Sequence, residues 1–188
     1  MSSFATGSKL LNPKDILTHA GVDVGMRVAD LGCGKGYFTL TAAQLVGGRG
    51  QVYAIDILKS CLETVRNEAT HHQLLNIKTV WSNLEIVGAT KIPNEHIDFL
   101  CIVHSLYQSH QRRNFLKEAN RMLKPGGKIL MVDWKELDTP LGPPVAQRIG
   151  QKEIDTLMGE LGNYKKVDDF VPGEYHYALI YEKSGVKI

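Results

Sequence analysis

The sequence predicts an α/β architecture, a mainly parallel sheet with helices packed on both of its faces. Short apolar strand runs alternate with stretches of helical spacing along most of the chain. Several of these strands are nearly unbroken in apolar character, as a sheet covered on both faces requires. The last two strand-like runs are separated by a link short enough to force an antiparallel hairpin.

The elements follow in order. Residues 27–31 form a short apolar run ended by Gly32, a buried-strand pattern. Residues 36–46 place Phe38, Leu40, Ala42, Ala43, Leu45 and Val46 at helical spacing, and Gly47-Gly48 stops them. Residues 51–56 read as a second strand, and residues 59–71 as an amphipathic helix with Leu62, Val65 and Ala69 on one face. Residues 77–81 and 97–103 read as the third and fourth strands. Residues 114–123 return to helical spacing, Lys124-Pro125-Gly126-Gly127 reads as a turn, and residues 128–133 form a fifth strand. A Pro/Gly-rich connection at 140–144 leads to a helix over about 151–161. Two strands follow at 165–171 and 176–182, with Pro172-Gly173-Glu174 between them.

The 188 residues, 43% apolar and 22% charged, suit one globular domain with a buried core. The division expected within 1–188 is an N-terminal segment and helix in 1–24, a core in 25–134, and a helix with a terminal hairpin in 135–188. Lys+Arg is 22 against Asp+Glu 20, a net charge of +2, which argues against a nucleic-acid clamp driven by bulk charge. No apolar run approaches a membrane span, and the first ten residues lack the apolar centre of a signal peptide. Cys33, Cys61 and Cys101 fit neither a disulfide framework nor zinc-ligand spacing, so a reducing, cytoplasmic setting and no metal are expected. Cys61 and Cys101 read as core-facing packing. A homodimer is left open.

The strongest local pattern is Val28-Ala29-Asp30-Leu31-Gly32-Cys33-Gly34-Lys35-Gly36 at the first strand-to-helix turn. Glycines there let the backbone turn sharply and let a ligand approach it. The open end of the first strand is where such sheets take nucleotides. The spacing is G-x-G-x-G, which is neither a dinucleotide G-x-G-x-x-G nor a P-loop. Asp56 ends the second strand about 20 residues after Gly36, where a carboxylate can accept from both hydroxyls of a ribose.

These residues, with Val52-Tyr53-Ala54-Ile55-Asp56-Ile57, Ile97-Asp98-Phe99-Leu100 and Leu123-Lys124-Pro125-Gly126-Gly127-Lys128-Ile129-Leu130, resemble the class I S-adenosylmethionine-dependent methyltransferases. Small enzymes of the ubiquinone/menaquinone-biosynthesis type are the most similar members, and the likeness covers residues 11–183. It implies a three-layer αβα Rossmann-like fold whose seven-stranded sheet has its last strand antiparallel. It also implies that Asp30 and the turn of Gly32, Cys33, Gly34 and Gly36 hold the methionine part of S-adenosylmethionine. Asp56 would take the ribose, Ile57 and Leu58 one adenine face, and Asn83 and Leu84 the adenine edge, with Glu85 a rival for that contact. His104, at the end of the fourth strand, would face the cofactor. His104 or Tyr107 could instead orient an acceptor, and no catalytic residue is assigned. Trp134 reads as a core filler ahead of a lid aromatic, and Asp133 and Lys135 as structural or solvated. Acceptor walls would come from residues 4–16 and 134–150, both short, which points to a small-molecule acceptor.

Methyl transfer from a sulfonium needs alignment and desolvation more than an acid–base pair, so a missing dyad does not count against this reading. RNA or protein methylation is the rival enzyme reading. The charge balance and the absence of an Asn-Pro-Pro-Tyr motif after the fourth strand weigh against a nucleic-acid acceptor. A non-catalytic S-adenosylmethionine-binding module is the rival from another class, and a nicotinamide oxidoreductase is disfavoured by the glycine spacing.

Overall fold

The computed structural model describes residues 11–139 and 141–185. Seven strands, β1 (Arg27–Leu31), β2 (Gln51–Asp56), β3 (Ile77–Trp81), β4 (Ile97–Val103), β5 (Leu123–Trp134), β6 (Tyr164–Gly173) and β7 (His176–Lys183), form one sheet. Their order is β3-β2-β1-β4-β5-β7-β6. The β1–β5 neighbours pair in parallel, whereas β7 runs antiparallel to both β5 and β6. Five helices accompany them: α1 (Pro13–His19), α2 (Tyr37–Val46), α3 (Lys59–His71), α4 (Arg112–Met122) and α5 (Gln151–Leu161).

Strand side chains alternate between faces, and that period divides the core in two. Ala29, Leu100, Ile102, Ile129, Met131 and Leu179 pack under α4 and α5, against Phe115, Leu116, Ile154 and Met158. Their sequence neighbours Val28, Phe99, Cys101, Leu130, Val132 and Ile180 pack on the opposite face, against Leu17 of α1 and Phe38, Ala42 and Val46 of α2. This two-sided burial is why the central strands carry almost no polar residues.

The expected strands and helices all form, with shifts at their ends. The Pro125-Gly126-Gly127 turn is absorbed into β5. Ile97 pairs with Leu123 and Phe99 with Lys128, so the extra residues bulge out of the ladder, with Gly126 at φ +78°. α4 begins at Arg112, earlier than its apolar spacing indicates, directly after His110 and Gln111, whose N–H groups donate to Oε1 of Glu85. The hairpin closes at Gly173↔His176, so Glu174-Tyr175 forms the tip rather than Pro172-Gly173-Glu174. Cys101 is buried as expected, but Cys61 is only half-buried, on the flank of α3 beside the inward Leu62.

The chain runs outward from β1 to β3, then returns to β4 on the other side of β1. The strand order therefore reverses between β1 and β4, and the crevice at their carboxyl ends is where an open α/β sheet takes its ligand.

Candidate active site

Asp30 leaves the β1 end pointing into the crevice, buried, and accepts from the Thr39 hydroxyl at 2.6 Å. Burial raises its pKa to about 6, opposed by the Thr39 hydrogen bond. The turn after β1 is tied to β2, with the Gly32 and Cys33 N–H groups donating to the Ile55 carbonyl at 2.9 and 3.0 Å. Burial pushes the Cys33 thiol far above its ordinary pKa, so it is not a nucleophile. Asp56 braces the same turn. Its Oδ2 accepts from the Gly34 N–H and its Oδ1 from the Leu58 N–H, both at 2.9 Å. Each oxygen keeps a lone pair for a ligand hydroxyl.

A cavity of about 1230 Å³ opens from this turn across the ends of β1, β4 and β5. Asp30, Gly32, Cys33 and Gly34 line one part of it, and His104, Tyr107 and Trp134 another. Gly36 is not in the lining and packs beside Val65 of α3. Asp56 reaches the lining through Gly34, and Ile57 and Leu58 stand beside it with 58% and 57% of their surface exposed.

The expected adenine-edge residues divide. The Leu84 side chain is buried in the core under α4, so it offers a ligand only its backbone. Asn83 Oδ1 accepts from the Glu85 N–H at 2.8 Å. Glu85 is committed elsewhere: its Oε1 accepts from the Ser109 hydroxyl and the His110 and Gln111 N–H groups. Those bonds hold its carboxyl below the usual range and make it a brace for the rim before α4.

His104 is held at φ +53°, a conformation that costs a non-glycine residue about 1–3 kcal/mol. Its ring stacks on Trp134, 5.0 Å between centroids, and lies 4.8 Å from His176. Trp134 and His176 are cross-strand partners in the β5–β7 ladder, which brings the last strand into the site. Trp134 is thus both buried, as expected, and part of the cavity wall. Nε2 of His104 and both ring nitrogens of His176 are buried without partners among the described residues. Burial lowers His104 to about 3 and His176 to about 4, helped in each case by nearby positive or imidazole groups. Both rings are neutral near pH 7, so this wall is aromatic and uncharged. Asp133 projects to the other face, beside Tyr177 across the ladder. Burial lifts it to about 7, while the Trp134 and Tyr107 N–H groups pull it down.

These shifts set a pH signature of stability. Raised carboxyls make the unfolded chain release protons first, so Asp30 and Asp133 lose stability as pH rises from about 4 toward 6–7. Lowered imidazoles act oppositely, losing stability as pH falls through about 6.5 toward 4. The two pairs oppose each other between about pH 4 and 6. Asp133→Asn removes one acid, so its stability relative to wild type falls by about 1.4 kcal/mol per pH unit on acidification across that window. Urea unfolding at a series of pH values checks this; a profile parallel to wild type contradicts the buried state of Asp133.

Residues 134–150 do contribute to the cavity, through Trp134, Gly142, Pro143, Pro144, Ala146 and Gln147. Residues 4–10 of the other expected acceptor wall lie outside the described residues. Among the described residues, no group of three or more His, Cys, Asp or Glu side chains is placed to hold a metal ion, and no helix is long and apolar enough to cross a membrane.

A glycine turn and a strand-end aspartate meeting at the sheet's reversal point define a Rossmann-like, nucleotide-binding α/β protein. The chain belongs to the methyltransferase domain family, which it matches over residues 22–161. It is 33% identical over 118 residues to a ubiquinone/menaquinone biosynthesis C-methyltransferase of Shewanella oneidensis, covering 62% of this chain and 46% of that protein. A demethylmenaquinone methyltransferase of a Geobacillus strain is 28% identical over 120 residues, covering 64% of this chain and 50% of the relative. The chain thus spans about half the length of the curated relatives it matches. Its fold is that of a SAM-dependent methyltransferase from Aquifex aeolicus (TM-score 0.87, 23% identity, 95% of this chain and 93% of that one). A type 11 methyltransferase structure from Sulfolobus solfataricus shares it too (TM-score 0.74, 24% identity, 93% of this chain and 94% of that one).

Proposed function

We propose that this methyltransferase domain transfers a methyl group from S-adenosylmethionine to a small molecule in the cytoplasm, by in-line displacement. The observation that carries the reading is the joining of two chemically different walls in one cavity. Its volume of about 1230 Å³ exceeds the roughly 300–1,000 Å³ that holds one drug-sized ligand. The Gly32–Gly34 turn and Asp30 form the cofactor half; His104, Tyr107 and Trp134 form the acceptor half. The turn fits the cofactor: at Gly34 a Cβ would meet nothing within 4 Å, leaving the backbone open to a ligand.

S-adenosylmethionine supplies an electrophilic methyl on a sulfonium whose neutral thioether leaves without protonation. The protein's own residues bind, align and dry the site. Asp56 takes the ribose hydroxyls, Ile57 and Leu58 cover one adenine face, and Asn83 meets the adenine edge. Asp30 with the turn holds the methionine part. His104, neutral and stacked, gives the acceptor half a shaped wall that faces the cofactor and does not act as a cation. Alignment and exclusion of water are the effects this reaction draws on.

In this reading the N-terminal segment and helix of 1–24, the cofactor core 25–134, and the helix and terminal hairpin of 135–188 belong to one domain. A small acceptor is preferred to nucleic acid because the Arg112-Arg113 pair is engaged: Arg112 with Glu153 and Arg113 with Glu160. The relatives named for menaquinone biosynthesis make a reduced quinone ring the first acceptor to try.

Calorimetry with S-adenosylhomocysteine and with NADH tests the cofactor. Binding of S-adenosylhomocysteine alone is expected, and binding of NADH alone sinks the reading. Methyl-labelled S-adenosylmethionine is then supplied with 1,4-naphthohydroquinone and with cell extract split into RNA, protein and small-molecule fractions. Label is expected in the small-molecule fraction; label in RNA alone would favour the rival acceptor class. Sizing the purified chain by light scattering tests for a homodimer.

A further inference from the structure

We propose that Arg148 builds the acceptor wall, its guanidinium holding residues 135–139 and 141–147 as a surface formed before the acceptor arrives. The proposal rests on the methyl-transfer reading above. Arg148 is only 6% exposed, yet among the described residues it has no carboxylate partner. Its donors go to the segment that precedes it. Nε donates to the Pro143 carbonyl at 2.9 Å, Nη1 to the Lys135 and Leu137 carbonyls at 2.8 and 2.6 Å. Nη2 donates to the Leu141 carbonyl at 2.9 Å and the Thr139 hydroxyl oxygen at 3.2 Å. A guanidinium has five N–H groups, and all five are used.

This segment has neither strand nor α-helix to satisfy its backbone, only a short 3₁₀ turn at Val145–Gln147. Carbonyls outside secondary structure have no ladder partner, and here one planar, buried cation serves four of them. A carboxylate would take two donors in a bidentate pair and open the fan. The guanidinium also lies 5.6 Å from the centre of the Trp134 ring. Against the same indole rests Gly142, where a Cβ would come within 2.7 Å of ring carbons. Arg148, Trp134 and Gly142 thus lock together, and the residues they fix, Gly142 to Pro144 with Ala146 and Gln147, face the cavity. No donor of Arg148 is left for a ligand, so it is a positioning residue.

Limited proteolysis, calorimetry and kinetics on the full chain test the proposal. In the wild type without ligand, subtilisin cuts within residues 136–147 slowly, because cleavage needs the backbone to leave its place, and S-adenosylhomocysteine changes that rate less than about twofold. Arg148→Met raises the cutting rate there at least tenfold, leaves the Kd for S-adenosylhomocysteine within threefold, and raises KM for 1,4-naphthohydroquinone at least tenfold with kcat within threefold. Arg148→Lys, with no fork to span the carbonyls, restores less than half of the lost resistance. Rapid cutting in the wild type, or an unchanged rate in Arg148→Met, overturns the proposal. So does a Kd for the cofactor product that rises in step with KM, which marks a general loss of structure. If the wild type binds S-adenosylhomocysteine but does not methylate the hydroquinone, the acceptor choice fails, and the proteolysis alone decides for or against the wall. If it does not bind S-adenosylhomocysteine, the methyl-transfer reading itself fails.

Discussion

Asp56→Ala raises the dissociation constant for S-adenosylhomocysteine by about 5- to 150-fold, the equivalent of about 1–3 kcal/mol for hydrogen bonds to a charged group. Two losses combine in that figure. In the proposed reading the carboxylate is the acceptor for ligand hydroxyls at the end of β2, and it also receives the Gly34 and Leu58 N–H groups. Without it, the turn that carries the ligand's other contacts is no longer braced from the strand beside it. Asp56→Asn separates the two. It keeps one acceptor oxygen, but its amide NH₂ must face one of the two backbone donors. Its affinity therefore falls between wild type and the alanine variant, and its stability falls with it. Calorimetry beside thermal unfolding reads both quantities. Unchanged affinity in Asp56→Ala places the ribose elsewhere, and an asparagine variant equal to wild type in both assigns no role to the second oxygen.

The parts of this site that could be read from sequence are those built by contiguous residues. The turn after β1 and the aspartate ending β2 each sit in a short stretch whose local conformation fixes where the backbone points. The strand pattern then brings the two stretches together, because β1 and β2 pair residue for residue. Apolar alternation likewise carried both faces of the sheet. What escaped depends on register between distant strands or on side chains reaching back across a loop. Nothing in His176 distinguishes it from any polar residue opening a strand; only the Trp134↔His176 pairing puts it against His104. Arg148 looks like a surface cation until its five acceptors, all upstream in an irregular segment, are seen around it. Leu84 shows the converse case. Its position in the chain suits the adenine edge, but an apolar side chain beside the core is taken by the core. Glu85 was available to either role until the rim before α4 claimed its carboxylate.

Gly34→Ala and Gly32→Ala look equivalent on paper and should fail in opposite ways. Both positions lie in the left-handed region, at φ +51° and +80°, so either alanine costs about 1–2 kcal/mol of backbone strain. At Gly34 that is the whole penalty to the fold, since the new methyl meets no heavy atom within 4 Å. A loss of that size lowers Tm by about 2–8 °C in a chain of this length. The open space it enters is where, in the proposed reading, the cofactor approaches the backbone, so S-adenosylhomocysteine affinity drops at least tenfold, about 1.4 kcal/mol. At Gly32 the methyl would lie 2.6 Å from the Ser105 Cβ and 3.2 Å from its Oγ. Ser105 cannot simply turn aside, because its hydroxyl donates to the Leu31 carbonyl at 2.7 Å and ties the end of β1 to the segment after β4. Overpacking there adds about 1–3 kcal/mol to the strain, and Tm falls by about 5 °C or more. Gly32→Ala is therefore the less stable variant, whereas Gly34→Ala loses more affinity for each degree of Tm. Thermal unfolding and calorimetry on the two proteins measure that ratio. Equal ratios would mean that the turn acts only as a structural corner, and that the ligand approaches the crevice without touching the backbone at Gly34.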